Sequence, residues 1–280
     1  MASPSTVIVL GPSPEAFFVG HGRRYFVENM PSSSFTGHAT SALNIAATLW
    51  TSMNGSGMVW VNYNVGSDKF HFNGDINEDI RKHLTSGARF ISFPDSPDPG
   101  HYFLKGKNSG AWNAVLPSYY VDRLTTMQKE LKNFDVGITG MLFGQGTTNI
   151  VMFQAGFVAD LDDKYVGEDH PLLKVLKEFS EPGWCIEYGS TLCFYDSGYF
   201  YLKFKRSGSS EVQMRWRLPP AVMEKLQTLR EQAETPAEQI AITVDSQQQI
   251  MLAQARMNVA MAQSQALANV INYGAGRVYY

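Results

Sequence analysis

Cysteine is almost absent from this sequence: only Cys185 and Cys193 occur among 280 residues. Two cysteines are too few for a disulfide framework, which excludes a small scaffold held together by cross-links. The two residues lie on what we predict to be neighbouring strands, so a disulfide bond between them is sterically possible. In a cytosolic chain, however, reduced and buried thiols are the expected state.

Long apolar runs are also absent. No segment reaches the ~18 consecutive apolar residues that a membrane-spanning helix needs. The N-terminal segment 1–6 carries no basic region ahead of Val7–Leu10, and that apolar stretch is too short for the core of a signal peptide. We therefore expect a cytoplasmic protein with no membrane span.

The sequence has neither an excess of positive charge nor a basic stripe. Its formal net charge is −3 and its pI is about 6.1, whereas a nucleic-acid-binding face concentrates Lys and Arg. The nearest candidates, Lys203 with Lys205 and Arg215 with Arg217, alternate along the chain as the solvent-facing positions of strands do. The composition thus predicts no nucleic-acid partner.

No arrangement of residues indicates a catalytic or metal site. The six histidines include no pair at helical metal-ligand spacing. Gly144-Gln145-Gly146 resembles the start of a phosphate loop, but a strand follows where an anion site requires a helix N-terminus. We predict no catalytic residue, no metal and no cofactor. A hydrolase with scattered carboxylates is an alternative, with Asp160 and Asp162 as the residues to test.

Aromatic residues, in contrast, are abundant: 13 Tyr, 17 Phe and 5 Trp make up 12% of the chain. They fit half-buried pleated surfaces and favour strands. One pattern recurs, in which three strands separated by turns are followed by a short amphipathic helix. It predicts a mainly β domain with short helices over residues 5–232, built as a propeller-like ring of about five blades. The predicted repeats span residues 5–44, 45–86, 87–133, 134–180 and 181–232. A non-repetitive α+β domain is the alternative.

The clearest repeat carries a resemblance to known proteins. Its aromatic strands Phe90–Phe93 and Tyr102–Leu104, followed by Trp112–Pro117 and a helix, resemble short propeller-like repeats of proteins from filamentous fungi, a family of unassigned function. The segment Trp216–Pro219 departs from the pattern, because its Trp lies two residues closer to Leu-Pro. The resemblance implies a propeller-like fold with a binding or scaffolding role, and it implies no catalytic residues.

Residues 233–280 form a compositionally distinct tail. Segment 233–236 reads as a linker, and 247–272 contains no Gly or Pro and a single charged residue, Arg256. This pattern predicts a C-terminal α-helix about 40 Å long. Its near-heptad apolar seam, which we expect to mediate homo-oligomerisation, comprises Ile250, Ala253, Met257, Ala260, Leu267 and Ile271. Docking onto the chain's own blades or into a propeller channel, and binding at a membrane surface, are alternatives. The aromatic end 273–280 either hooks a neighbour or is disordered.

Together these features predict a non-enzymatic binding or scaffold protein that displays its ring as a homo-oligomer. Ligands of a propeller meet its turns, here Pro94–Gly100, Lys107–Gly110 or Gly144–Asn149. A partner protein or a glycan is the expected ligand. In the lectin-like alternative, sugars stack on exposed aromatic rings, and the candidates are Trp60, Trp112 and Trp216. A self-assembling structural protein is a further alternative.

Overall fold

The computed structural model describes residues 6–21, 24–30, 48–55, 60–64, 69–72, 76–108, 110–209, 212–231 and 277–279. Within them the protein is mainly β with a few short helices, and its strands form five small antiparallel sheets. This confirms the predicted fold class at that level. Each sheet lies within one predicted repeat, apart from three residues at the C-terminus that join the fourth sheet.

The first three sheets each have three strands joined in chain order. Sheet 1 contains β1 (Thr6–Leu10), β2 (Phe17–His21) and β3 (Arg24–Glu28). Sheet 2 contains β4 (Thr48–Met53), β5 (Trp60–Asn64) and β6 (Lys69–Phe72). Sheet 3 contains β7 (Ala88–Ser92), β8 (Tyr102–Gly106) and β9 (Trp112–Val115). The first strands β4 and β7 share an irregularity, because their register shifts just after the first residue.

Sheet 4 contains β10 (Ile138–Phe143), β11 (Asn149–Phe153), β12 (Gly156–Asp160) and β17 (Arg277–Tyr279). The first strand β10 shows the same register shift, between Ile138 and Gly140. The fourth strand, β17, pairs with β12 in antiparallel orientation. It comes from the predicted tail, where the sequence indicated no strand.

Sheet 5 contains β13 (Trp184–Ile186), β14 (Thr191–Leu192), β15 (Phe200–Arg206) and β16 (Val212–Arg217). β13 and β14 both pair with β15, at 204–206 and at 200–201, while β16 also pairs with β15. Between them, the Ser190 hydroxyl accepts the N–H of Lys203 at 2.9 Å. The two pieces therefore act as one interrupted first strand, and sheet 5 has the same plan as the others.

In the described part of the chain, short helices follow β6, β9, β12 and β16. They are α1 (Glu78–Gly87), α2 (Ser118–Glu130), α4 (Pro171–Glu178) and α5 (Pro220–Glu231). Asn77 caps the N-terminus of α1, because its side chain accepts the N–H of Asp79 at 2.8 Å. An additional single turn, α3 (Phe134–Gly137), precedes sheet 4.

The first strand of each sheet contacts the first strands of two others. β1 contacts β4, β4 contacts β7, β7 contacts β10, β10 contacts β14, and β14 contacts β1. The buried apolar residues lie mostly between the sheets: Val9 with Met53 between sheets 1 and 2, for example, and Phe103 with Met141 between sheets 3 and 4. Helix α5, after sheet 5, packs on β2 and β3 of sheet 1. The first and last parts of residues 6–231 are thus in contact.

The predicted C-terminal helix at 247–272 and its seam residues Ile250, Ala253, Met257, Ala260, Leu267 and Ile271 lie outside the described residues. The prediction that they mediate self-association therefore stays a prediction from sequence.

Candidate functional site

A small cavity lies where the first strands converge. Its volume is about 40 Å³, and the residues around it come from all five first strands, among them Leu10, Trp50, Phe90, Leu142 and Thr191. A water molecule needs roughly 10–15 Å³ of such volume, so the cavity holds about three waters. It cannot admit a sugar ring or a helix about 10 Å wide. The predicted alternative in which the tail helix docks onto the chain's own blades or into a channel stays a prediction, because residues 247–272 lie outside the described residues.

The turns between first and second strands interlock across neighbouring sheets. In sheet 4 the Gln145 amide donates to the carbonyl of Tyr195 at 2.9 Å and accepts the N–H of Ser197 at 3.0 Å, both in the corresponding turn of sheet 5. Two of these turns have the same internal geometry, because the carboxylates of Asp98 and Asp196 each accept the N–H of a glycine two residues on. We call this surface the turn face; its exposed residues include Asp95, Asp98 and Asp196.

A buried ion pair anchors helix α2 beneath the turn face. Asp160, at the end of β12, is 1% exposed, and its Oδ2 accepts hydrogen bonds from Arg123 Nε and, at 3.0 Å, from Tyr119 Oη. The adjacent Tyr120 hydroxyl donates to the carbonyl of Gly146 at 3.1 Å. Asp160 is thus enclosed by its partners and presents no carboxylate oxygen to solvent, which argues against the role in hydrolysis considered from the sequence.

Asp162 holds the turn of sheet 4. Its Oδ2 accepts from both N and Oγ1 of Thr147, each at 3.0 Å, and its Oδ1 accepts the N–H of Lys164. Burial acts to raise the pKa of Asp162, but these hydrogen bonds outweigh it and hold the pKa below its usual value. A carboxylate kept ionised in this way is unsuited to act as a general acid. Its evident role is to fix the Gly144–Asn149 turn, which the sequence had named as a ligand-contacting segment.

Two histidine–serine pairs lie near the turns and were not anticipated from the sequence. His170 caps α4, because its Nδ1 accepts the N–H of Leu172 at 3.3 Å, and its Nε2 lies 3.1 Å from Ser197 Oγ. His101 Nδ1 lies 2.6 Å from Ser96 Oγ, which also accepts the N–H of Asp98. In a Ser–His–Asp triad, Nε2 of the imidazole faces the serine and Nδ1 donates to a carboxylate. His101 turns Nδ1 toward its serine, and His170 uses Nδ1 to accept the N–H of Leu172, so neither pair has the triad arrangement. Both pairs connect local turns.

The three tryptophans predicted to bind ligand have different environments. Trp216 is 3% exposed and packs 6.1 Å from the ring of Tyr201, so its ring is enclosed by protein. Trp112 is half-buried, stacks 6.0 Å from Phe103 and donates from Nε1 to Asp135 Oδ1 at 2.7 Å. Trp60 lies on β5, and its ring is outside the described side chains. The structure does not bring these three residues together into one described site.

The two cysteines are free and buried, so the pairing left open by the sequence is not formed. Burial raises the pKa of both thiols, that of Cys193 to about 11. Protonated, enclosed thiols of this kind are unreactive.

A larger cavity, which we call the α4 groove, lies beside β12. It has a volume of about 760 Å³ and is lined by buried Leu161, Val166 and Leu173 and by exposed Asp163, Glu168 and Asp169, with Gly167 and Lys177 completing its wall. Small-molecule sites have volumes of about 300–1,000 Å³. Sequence reasoning missed this groove, because only the fold sets the loop after β12 against α4.

Comparison with models of known protein families, with curated proteins and with solved structures finds no match for this chain. The resemblance to fungal repeat proteins therefore stays a prediction. Within the described ranges there is no group of three or more His, Cys, Asp or Glu side chains placed to hold a metal ion. Among the helices that the structure describes, none is both long and apolar enough to cross a membrane.

Proposed function

We propose that the chain is a non-enzymatic binding or scaffold protein, in which residues 6–231 form a five-bladed, propeller-like ring displayed as a homo-oligomer. The observation that carries the proposal is the cyclic order of contacts among the five first strands, which returns from β14 to β1. An open row of repeats would leave sheets 1 and 5 as its two ends, far apart. A closed ring protects the sheet edges and needs no caps.

Contacts between the first and last sheets support closure. Lys203 Nζ on β15 donates to the carbonyl of Thr6 on β1 at 3.4 Å. Lys225 on α5 lies 3.5 Å from a carboxylate oxygen of Glu28 on β3. Beneath these polar contacts, Val222 and Leu226 of α5 share a buried cluster with residues of sheet 1. Residues about 200 positions apart in sequence thus form one interface.

A binding role is supported by which polar groups are engaged in hydrogen bonds within the chain and which are exposed. The carboxylates that a hydrolase would need, Asp160 and Asp162, are occupied by structural partners. The turn face, in contrast, is rigidly tied between sheets 4 and 5 and offers exposed polar groups, which is typical of binding surfaces carried on a scaffold.

Self-association is proposed through the seam at Ile250–Ile271. The test is the solution mass of the full chain, measured by light scattering after size-exclusion chromatography. We expect a defined oligomer, which the paired substitutions Met257→Glu and Leu267→Glu on the seam convert to a monomer, because each buries a charge between helices. The matched control places the same two charges off the seam, as Asn258→Glu and Gln265→Glu, and is expected to leave the mass unchanged. A monomeric full chain would contradict the proposal.

Sugar binding is the second candidate, and one observation favours it. Tyr119 is 37% exposed and lies at the turn face, with its hydroxyl on Asp160. An exposed aromatic ring among hydroxyl and carboxylate groups suits stacking and hydrogen bonding of a sugar. On a glycan panel, Tyr119→Ala is expected to abolish binding, while Tyr25→Ala, at a similarly exposed tyrosine of β3, leaves it intact. No binding by the wild-type chain at millimolar sugar would exclude this function.

A further inference from the structure

The α4 groove is bordered by a loop that the fold holds in place. Within this loop, which joins β12 to α4, the N–H of His170 donates to the carbonyl of Gly167 at 3.0 Å. From sheet 5, the hydroxyl of Ser197 donates to the carbonyl of Tyr165 in the same loop at 3.3 Å. The wall of the groove is therefore formed before any ligand arrives, and binding costs little ordering entropy in this loop.

The floor of the groove is apolar and consists of the buried residues Leu161, Val166 and Leu173. Leu173 and Lys177 lie one helical turn apart and so share one side of α4. On the loop side, Gly167 leaves the groove open, because a Cβ at this position would meet no atom of the described chain within 4 Å. The groove thus has room for an apolar side chain above an apolar floor.

The rim of the groove is acidic. Asp163, Glu168 and Asp169 are exposed, against Lys177 in the wall. Asp169 is already engaged, because the hydrogen-bonded Lys174 ammonium at 2.8 Å holds the pKa of Asp169 below its usual value. Asp163 and Glu168, in contrast, form no ion pair within the part of the chain that the structure describes. These two carboxylates give the rim a negative charge that a cationic group on a ligand complements.

We propose that the α4 groove docks a short segment of a partner protein in which apolar side chains are flanked by Lys or Arg. The apolar side chains pack on the floor, and the basic side chains lie against Asp163 and Glu168. A peptide fits better than a small molecule, because small-molecule sites bury about 70–90% of the ligand surface, whereas the rim of this groove faces solvent. The inference rests on the proposed binding role and names the chemistry of its partner.

Side chains, rather than backbone hydrogen bonds, carry this contact. The outer edge of β12 is paired with β17 over Val158–Asp160, so a peptide cannot add a strand there. The lining of the groove begins one residue further along the chain, at Leu161. Because the charged part of the contact is exposed, salt screens it, and the affinity should fall as the ionic strength rises.

Fluorescence anisotropy with the full chain and a labelled acetyl-Lys-Leu-Leu-Lys-amide probe tests the proposal. We expect this probe to bind at least about tenfold more tightly than acetyl-Glu-Leu-Leu-Glu-amide, which has the wrong charge, and acetyl-Lys-Ser-Ser-Lys-amide, which lacks the apolar anchor.

Variants of the chain locate the binding. Gly167→Leu fills the groove from an exposed loop position and is expected to abolish binding of the probe. Asp163→Lys combined with Glu168→Lys reverses the rim charge and should weaken binding about tenfold. The matched control, Glu130→Lys combined with Glu181→Lys, changes two exposed carboxylates outside the groove and should leave the affinity within about twofold of the wild type.

Several results would overturn the docking site. They are the absence of saturable probe binding up to about 1 mM protein, equal affinity for the probe that carries serines, and wild-type affinity in either groove variant. Circular dichroism shows whether each variant is folded, and the two variants change different positions, so misfolding of one leaves the other as the test. Competition by hexylamine as strong as by unlabelled probe would assign the groove to a small amine instead.

Light scattering of the same samples separates this proposal from the homo-oligomer. An oligomeric mass without probe binding rejects only the docking site. A monomeric mass with probe binding that Gly167→Leu abolishes rejects only the homo-oligomer.

Discussion

The interface between α5 and sheet 1 gives the sharpest prediction about the fold. Leu226 is 3% exposed and belongs to the buried cluster that includes Ile8 and Val19 of sheet 1. Leu226→Ala removes three methyl or methylene-sized groups from this cluster, and such changes in a buried site cost about 2–5 kcal/mol. A loss of about 3 kcal/mol lowers the Tm of a domain of this size by roughly 6–12 °C. We expect a fall in that range by differential scanning calorimetry.

Hydrogen exchange then shows where the stability is lost. If sheets 1 and 5 close a ring, Leu226→Ala accelerates amide exchange in β1–β3, about 200 residues away in sequence. Val121→Ala on α2, at a residue 42% exposed, is the control and is expected to change neither Tm nor exchange in sheet 1. The reasoning would be refuted if, in Leu226→Ala, the amides of α5 exchange faster while the amides of β1–β3 stay as protected as in the wild type.

Three further predictions concern the turn face and the thiols. Gly146→Ala is expected to cost more than about 2 kcal/mol in the free energy of unfolding, because φ is +64° and a Cβ would meet the Asp162 carboxylate and lie 2.7 Å from Tyr165. Gly110→Ala, at φ +81° with open space, isolates the backbone cost, and equal losses in chemical denaturation would contradict the steric argument. Native Cys193 is 0% exposed with a pKa of about 11, so about one thiol in a thousand is ionised at pH 8. A chromogenic disulfide reagent should therefore react with it only after unfolding, and rapid native reaction at Cys193 would show the burial to be wrong. Burial lowers the pKa of His170 below 6.5 in the folded state. As the pH falls, the unfolded chain therefore takes up a proton at His170 before the folded chain does. The contribution of neutral His170 to the free energy of unfolding is complete above pH 6.5 and is lost as the pH falls toward the folded-state pKa. His170→Asn keeps a cap acceptor and should remove this His170 contribution; an unchanged pH profile would contradict it.

Local features of the fold could be predicted from the sequence, because their causes are local. The hairpins of sheets 1 and 3 follow from alternating apolar strands and turn residues. The start of α1 follows from the capping side chain of Asn77, and the start of α2 from Pro117. These signals lie within a few residues of the structure that they determine.

Features that depend on distant contacts could not be predicted in the same way. In sheet 5 the first strand is interrupted between β13 and β14. There the Ser190 hydroxyl accepts the backbone N–H of Lys203, in place of a backbone carbonyl of a continuous strand. The ion pair of Asp160 joins residues 37 positions apart, so neither partner identifies the other in the sequence. Trp216, named from the sequence as a candidate ligand contact, lies on the face of β16 opposite Arg215 and Arg217 and is covered by the cluster around α5.

The closed ring is the central claim, and a zero-length cross-link tests it most directly. A carbodiimide joins an amine to a carboxylate that are already paired, as Lys225 Nζ and Glu28 are at 3.5 Å. Mass spectrometry of the monomeric gel band should identify a peptide that links Lys225 to Glu28. The positive control is the ion pair of Lys174 and Asp169, which are 2.8 Å apart in space and five residues apart in sequence. A link between them shows that the reagent is active. A link at 169–174 without one at 28–225 would contradict the closed ring.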